Sequence, residues 1–425
     1  MTTVIKNGYL FVGGQIMQAD LLVKDGLIAA IGTSLTGDSV INAEDKLVSP
    51  GLVDVHVHYR DPGQTEKENV QTGSLAAAHG GFTTVCAMPN VVPVPNTPEL
   101  MTKMVRNNDQ NGLVHILQYG PITIDEDTDE IPDYARLKKA GCVALSNDGK
   151  GVQNARTMYL AMRKAQENNL IIAEHAQDDA LFNHGVINEG QKAKKLHLAP
   201  ITELAETTQI ARDLLLAQKT GVHYHVCHVS TATSVELIRI AKSRGINVTC
   251  EVAPHHLLLE EENITGDDAK FKMNPPLRTK RDQAALIAGL LDGTIDMIAT
   301  DHAPHTAADK QGGFAKAAFG IVGSETVFSE LYTKFVKTGI FTLSQLLTWL
   351  TIAPAESFGL KKAGKIAIGQ PADIAIFNLG KKITINTADF KSKGRNTTFK
   401  GDTVYSQTVL TMVDGKVVFQ IEENK

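Results

Sequence analysis

Between residues 52 and 300 the chain repeats one pattern, a short apolar run followed by a stretch with helical spacing. The runs are Leu52–His58, Thr83–Met88, Val114–Tyr119, Cys142–Ser146, Leu170–Glu174, Val222–Val229, Ile246–Val252 and Asp296–Thr300. Runs rich in Val, Ile and Leu suit strands covered on both faces, as in a parallel sheet. Stretches such as Asn154–Glu167 and Thr202–Lys219 read as the intervening helices. About eight such βα units predict an α/β fold, a (β/α)8 barrel of the TIM type. An open doubly wound sheet would carry a glycine-rich phosphate loop after its first strand. None follows Leu52–His58.

The two ends have a different texture. Asn7-Gly8, Gly13-Gly14 and Asp25-Gly26 punctuate short alternating runs before residue 50, and Asp414-Gly415 does so near the other end. The expected organisation is therefore a barrel over residues 51–360. A small β-sandwich would be assembled from residues 1–50 and 361–425. At 425 residues, 43% hydrophobic and 21% charged, the composition is that of a soluble globular protein. A formal net charge of −5 and the lack of any basic run argue against nucleic acid. No apolar stretch reaches transmembrane length, and the first residues lack the apolar core of a signal peptide. Cys86, Cys142, Cys227 and Cys250 are far apart and form no Cys-x-x-Cys. They read as buried thiols in a reducing cytoplasm.

In a barrel, chemistry belongs at the carboxyl ends of the strands. The first run ends in His56 and His58, which at i and i+2 share a strand face and can converge on one metal ion. Arg60 follows, placed to hold an anion beside that metal. Other runs end in Asp148, His175, His228 and Asp301. Each alone has an ordinary reading: a strand with surface histidines, a turn at Asp148, a helix cap at Asp301. Their shared position at one end of the inferred strands favours a metal centre with nitrogen and oxygen ligands, zinc first. Six candidates exceed the four ligands of one tetrahedral zinc, so two ions are expected. In Val222–His228, strand parity sends His223 and His225 toward the outer helices and His228 into the lumen. His255 and His256 read as structural residues at a strand end.

With these residues assembled, the chain resembles the amidohydrolase superfamily, and within it the class I bacterial-type dihydroorotases. The resemblance spans nearly the whole chain. It rests on Pro50–Gly63, Ala87–Asn90, Asn147–Gly149, Glu174–Ala176, Cys227–Thr231, Lys272–Arg278 and Ala299–His305. It implies one zinc on His56, His58 and Asp301, and a second on His175 and His228. Asp148 would bridge them where many relatives use a carboxylated lysine, with Lys150 as the alternative. His58, Arg60, Asn90, Asn274, His305 and the backbone of Phe319–Gly320 would bind substrate.

The implied reaction is reversible cyclisation of N-carbamoyl-L-aspartate to L-dihydroorotate in de novo pyrimidine (UMP) synthesis, by a binuclear zinc-hydroxide mechanism. Asp301 would shuttle the proton between hydroxide and amide nitrogen. The small-residue-rich segment 306–320 reads as a mobile lid. The nearest rival is a dihydropyrimidinase, hydantoinase or allantoinase, whose substrates lack the carboxylate that Arg60, Asn90 and His305 would hold. A non-catalytic scaffold of the same fold would typically lose metal ligands, and all six are present. The resemblance further implies a homodimer in the cytoplasm, and allows a partner enzyme of the pathway.

Overall fold

The computed structural model describes residues 2–421; Met1 and residues 422–425, the outermost parts of the expected sandwich segments, lie outside the described residues. Five strands open the chain: β1 (Thr2–Val12), β2 (Gln15–Lys24), β3 (Leu27–Gly32), β4 (Ser39–Asn42) and β5 (Leu47–Pro50). The turns after β1 and β2 sit at Gly13-Gly14 (φ 58° and 83°) and Asp25-Gly26 (φ 52° and 80°). Two successive left-handed residues give the turn whose twist matches a tight hairpin. Asn7-Gly8 does not break the chain as expected. It lies within β1, where Asn7 at φ 63° shifts the register against β2 and its N–H donates to Asp20 Oδ1 at 3.0 Å. A bulge absorbs the turn residues without ending the strand.

Eight parallel strands follow: β6 (Leu52–Val57), β7 (Phe82–Ala87), β8 (His115–Pro121), β9 (Cys142–Ser146), β10 (Ile171–Glu174), β11 (Tyr224–Val226), β12 (Val248–Val252) and β13 (Met297–Ile298). They pair in chain order. The first and last meet where Val57 bridges His302 and the His58 N–H donates to the His302 carbonyl at 2.9 Å. This is the TIM-type barrel. Its inner face packs Val55, Cys86, Tyr119, Ala144, Ala173, Cys227 and Met297. The outer face presents Val85, Ile116, Ile172, Tyr224 and Val248 to helix residues such as Met158, Ile210, Leu214, Ile238 and Leu286. The helix Ala155–Glu167 begins at Asn154, whose side chain accepts from Arg156 N. That bond satisfies one of the free N–H groups of the first turn.

The terminal sheet is completed by β14 (Ile374–Thr384), β15 (Thr403–Val413) and β16 (Lys416–Gln420). β5 joins the two ends of the chain, parallel to β1 on one side and antiparallel to β14 on the other. Ile5, Leu10, Leu21 and Val48 share one apolar cluster with Ile374, Ile376, Leu410 and Met412. All four cysteines are free and buried. No helix among the described residues is long and apolar enough to cross a membrane.

Candidate metal centre and substrate pocket

Asp54 is the stitch that sets the site. Its carboxylate accepts from the N–H of His56 at 3.1 Å, the N–H of Thr300 at 3.1 Å and the Thr300 hydroxyl at 2.5 Å. The first and last strand ends are thereby tied together just before His56 and Asp301. The β6–β7 register shifts between Asp54 and Val57, and past that irregularity the His56 and His58 rings lie with centroids 5.3 Å apart. Arg60, His228 and Asp301 all adopt left-handed backbone, at φ 57°, 31° and 48°. Non-glycine residues hold such angles only where the surrounding structure over-determines them, and such strain concentrates at functional sites.

The six expected ligands converge. His56 Nε2 lies 3.2 Å from Asp148 Oδ1 and 3.6 Å from Asp301 Oδ1, and His58 Nε2 lies 3.0 Å from Asp301 Oδ1 and 3.7 Å from Asp148 Oδ2. His56, His58 and Asp301 form one compact donor group, and His56, Asp148 and His228 another. His175 joins through His228, its Nδ1 being 2.9 Å from His228 Nε2. Two ligand nitrogens on one tetrahedral zinc stand about 3.3 Å apart, given bonds of about 2.0–2.1 Å. Lys150 points elsewhere, with its amine 3.1 Å from Asp127 Oδ2 on the exposed surface.

A metal fits this donor set on three counts. His56 Nε2 and Asp148 Oδ1 are buried and have no hydrogen-bond partner. His56 Nδ1 is 2.6 Å from Glu251 Oε1 and His58 Nδ1 is 3.0 Å from Asn90 Oδ1. Each ring is thus anchored through Nδ1, leaving Nε2 as a lone-pair donor. The charges balance as well. Burial works to raise the Asp148 pKa, but positive charge at the His58, His56 and His175 positions outweighs it and holds the carboxyl well below its usual range, so the carboxylate is ionised where a cation would sit. Burial first, and the adjoining His175 and His56 rings next, push His228 well below the ordinary histidine value, so it stays neutral and able to ligate.

A cavity of about 220 Å³ opens beside these groups, lined by His58, Arg60, Asn90, Asn274, His305, Phe319 and Gly320 together with Asp148, His175, His228 and Asp301. Arg60 is 9% exposed, and its Nε is buried without a partner. Burial lowers its pKa, opposed by Asp148 and Asp301. Asn90 donates to Asp148 Oδ2 at 2.8 Å, and Asn274 donates to Gln177 Oε1 at 2.7 Å beside His175. Both amides line the cavity and orient metal-type ligands at once. His305 donates from Nε2 to the Phe319 carbonyl at 2.7 Å, leaving its buried Nδ1 without a partner. Burial, then Arg60, lowers His305 to about 3, so it is neutral.

The expected outward orientation of His225 is overturned. Its ring packs on Phe358 with centroids 5.0 Å apart, and its Nε2 lies 3.0 Å from Glu251 Oε2 inside the barrel. Regular strand ends at Val226, and the left-handed turn at His228, not alternation, delivers that ring to the site. His255 and His256 open the short helix Pro254–Leu258, where His256 donates to the Pro275 carbonyl at 3.0 Å. Sequence reasoning missed Glu251, whose signal was a carboxylate inside a buried strand. It also missed Gln177, two residues beyond His175, and Asn396, which no local pattern marks.

Residues 45–234 match the family model described as Dihydro-orotase-like, and residues 195–419 that of an Amidohydrolase family. The chain is 69% identical over 421 residues to a dihydroorotase of Lactobacillus acidophilus, covering 99% of both chains. It is 54% identical over 424 residues to that of Lactiplantibacillus plantarum, again with 99% of both covered. Among solved structures, an L-hydantoinase (dihydropyrimidinase) from Arthrobacter aurescens superposes with a TM-score of 0.90 at 28% identity, covering 99% of this chain and 96% of that one. A dihydropyrimidinase from Brevibacillus agri superposes at 0.87 and 23% identity, over 99% and 95%, a likeness of fold alone.

Proposed function

The chain belongs to the dihydroorotase family of the amidohydrolase superfamily, and on that premise we propose that it interconverts N-carbamoyl-L-aspartate and L-dihydroorotate in pyrimidine synthesis. It is a hydrolase acting on a cyclic amide. The observation that carries the substrate choice is Arg60, a buried guanidinium whose Nε has no partner, facing the same cavity as the metal-type cluster. A substrate carboxylate satisfies that fork; a plain hydantoin ring, with no carboxylate, leaves it desolvated and unpaired.

We assign one zinc to His56, His58 and Asp301, a second to His175 and His228, and the bridge to Asp148. Bound there, the metal supplies Lewis acidity and a water acidic enough to lose its proton near neutral pH. The protein does the rest. Asp301 accepts the proton of the attacking water during ring opening and passes it to the departing ring nitrogen; in synthesis it takes the ureido proton. Arg60 fixes the free carboxylate, and His305 Nδ1, left as an acceptor by the Nε2–H bond to the Phe319 carbonyl, takes an N–H of the substrate. The Phe319–Gly320 backbone closes the cavity over the ring and keeps bulk water out. Ring closure consumes a proton, so acid favours synthesis and alkali favours opening. We further propose that the protein works in the cytoplasm as a homodimer.

The test is a two-substrate comparison on metal-analysed protein. Turnover of dihydroorotate with little turnover of dihydrouracil or hydantoin is expected, alongside two zinc ions per chain. Preferential hydantoin opening would replace this reading with that of the hydantoinase neighbours.

A further inference from the structure

The cavity wall at Phe319–Gly320 is held by an unusual set of bonds. The Lys310 ammonium donates to the carbonyls of Lys272 (3.1 Å), Ala318 (2.8 Å) and Gly320 (3.0 Å). All three of its protons therefore have an acceptor, and every acceptor is backbone. Lys272 Nζ donates to the Ala317 carbonyl at 2.6 Å and lies 4.3 Å above the Phe319 ring. With His305 on the Phe319 carbonyl and Asn396 on that of Gly320 at 3.1 Å, four successive carbonyls, 317 to 320, are each taken by a side chain.

Peptide planarity turns this into orientation. A carbonyl pulled one way sends the next residue's N–H the other way. Lys310 on the Ala318 carbonyl thus aims the Phe319 N–H, which no described residue accepts. Gly320 completes the fold-back at φ 118°, where an added Cβ would meet the Ala303 Cβ at 2.6 Å.

We propose that Lys310 is a positioning residue for the substrate, holding the Phe319–Gly320 peptide edge against the cavity so that it sets substrate affinity and not the chemical step. The choice of assay rests on the dihydroorotase reading. Charge matters to the grip. Burial first, and Lys272 second, lower the Lys310 amine to about 7, with Asp268 and Asp309 opposing. Lys67 approaches Asp309 at 3.9 Å, and the neighbouring His305, neutral, adds no titration near neutrality on this face. Above that pH the amine keeps fewer protons than it has carbonyls.

Lys310→Met, Lys310→Arg and wild type are compared for metal content, for ring-opening kinetics across about pH 6–9, and for amide hydrogen exchange at residues 318–321. Lys310→Met should raise KM about tenfold or more while kcat stays within about threefold, with metal unchanged. Lys310→Arg, which stays charged, should recover part of the affinity and flatten the rise of KM with pH seen in wild type. Exchange at Phe319 and Gly320 should quicken in Lys310→Met. An unchanged KM, or a fall in kcat alone, overturns the proposal. If Lys310→Met does not fold, a pH profile of Lys310→Arg that copies wild type overturns it instead. A wild type inert toward dihydroorotate defeats the functional reading only, and exchange at Phe319 then decides this one: unaltered protection sinks it.

Discussion

His56 Nδ1 and Glu251 Oε1 are 2.6 Å apart in the floor of the site, and both side chains are buried. The other Glu251 oxygen meets His225 Nε2 at 3.0 Å, so one carboxylate spans two rings. Burial works to raise the Glu251 pKa; His56 foremost and His225 with it outweigh that and keep the group ionised far below the ordinary range. An ionised carboxylate on Nδ1 fixes the tautomer of His56 and makes Nε2 a better donor.

Glu251→Ala should therefore weaken metal retention about 10–100-fold without touching a ligand. Equilibrium dialysis against a graded chelator measures this. Wild-type affinity in the variant would remove Glu251 from the metal's support.

Asp301→Asn keeps an oxygen beside His58 but removes the proton acceptor. We expect kcat to fall by at least ~10²-fold in both directions, the usual scale of acid–base catalysis. Paired assays of ring opening and closure are the check, and a loss confined to one direction would contradict a shared proton carrier.

Asp148 and Lys150 separate cleanly. Asp148→Ala should cost bound zinc at the His175–His228 position, whereas Lys150→Ala, removing an amine that faces Asp127, should leave metal content and rate at wild-type levels. Elemental analysis with activity decides. Zinc lost from Lys150→Ala and kept in Asp148→Ala would reverse the assignment.

Arg60→Lys should leave the metal in place and raise KM about tenfold or more, because a point charge cannot reproduce a two-pronged contact. Calorimetric titration with carbamoyl aspartate in the reverse direction reads the same loss; equal affinities would take Arg60 out of the substrate site.

Glu330 offers a pH test away from the site. Burial raises its carboxyl from 4.5 to about 8, and Oε1 has no partner. Between those values the unfolded chain releases the proton while the folded chain keeps it, so this group lowers stability as pH rises, by at most about 1.4 kcal/mol per pH unit. Glu330→Gln should relieve that slope, gaining about 2 kcal/mol relative to wild type between about pH 5 and 7. Denaturant melts at both pH values test it, and parallel curves would show the carboxyl is not buried uncharged.

The barrel was legible because parallel strands covered on both faces leave runs that need no partner to be recognised. His56 and His58 were legible for a similarly local reason, their spacing. The β13 strand shrank to Met297–Ile298: the Ala299 N–H still reaches the Val252 carbonyl, but the Thr300 N–H is taken by the Asp54 carboxylate. Parity misled at His225 because alternation holds only while φ and ψ remain extended, and the chain leaves that region by His228. Glu251 reaches His56 across 195 residues, and Asn396 reaches His305 across 91. Such partners are products of the closed barrel and have no trace in either local sequence.

The placement of β5 also dictates an order of events on the ribosome. Leu47–Pro50 sits between β1 and β14, and its outer edge finds its hydrogen bonds only when Ile374–Phe377 has emerged. At about 10 residues per second, that edge waits roughly half a minute while the whole barrel is being made. An open edge strand is the usual seed of intermolecular pairing. The eight barrel strands and the Val57–His302 bridge that joins the first to the last all lie within residues 52–302, so they emerge before the strand that covers this edge.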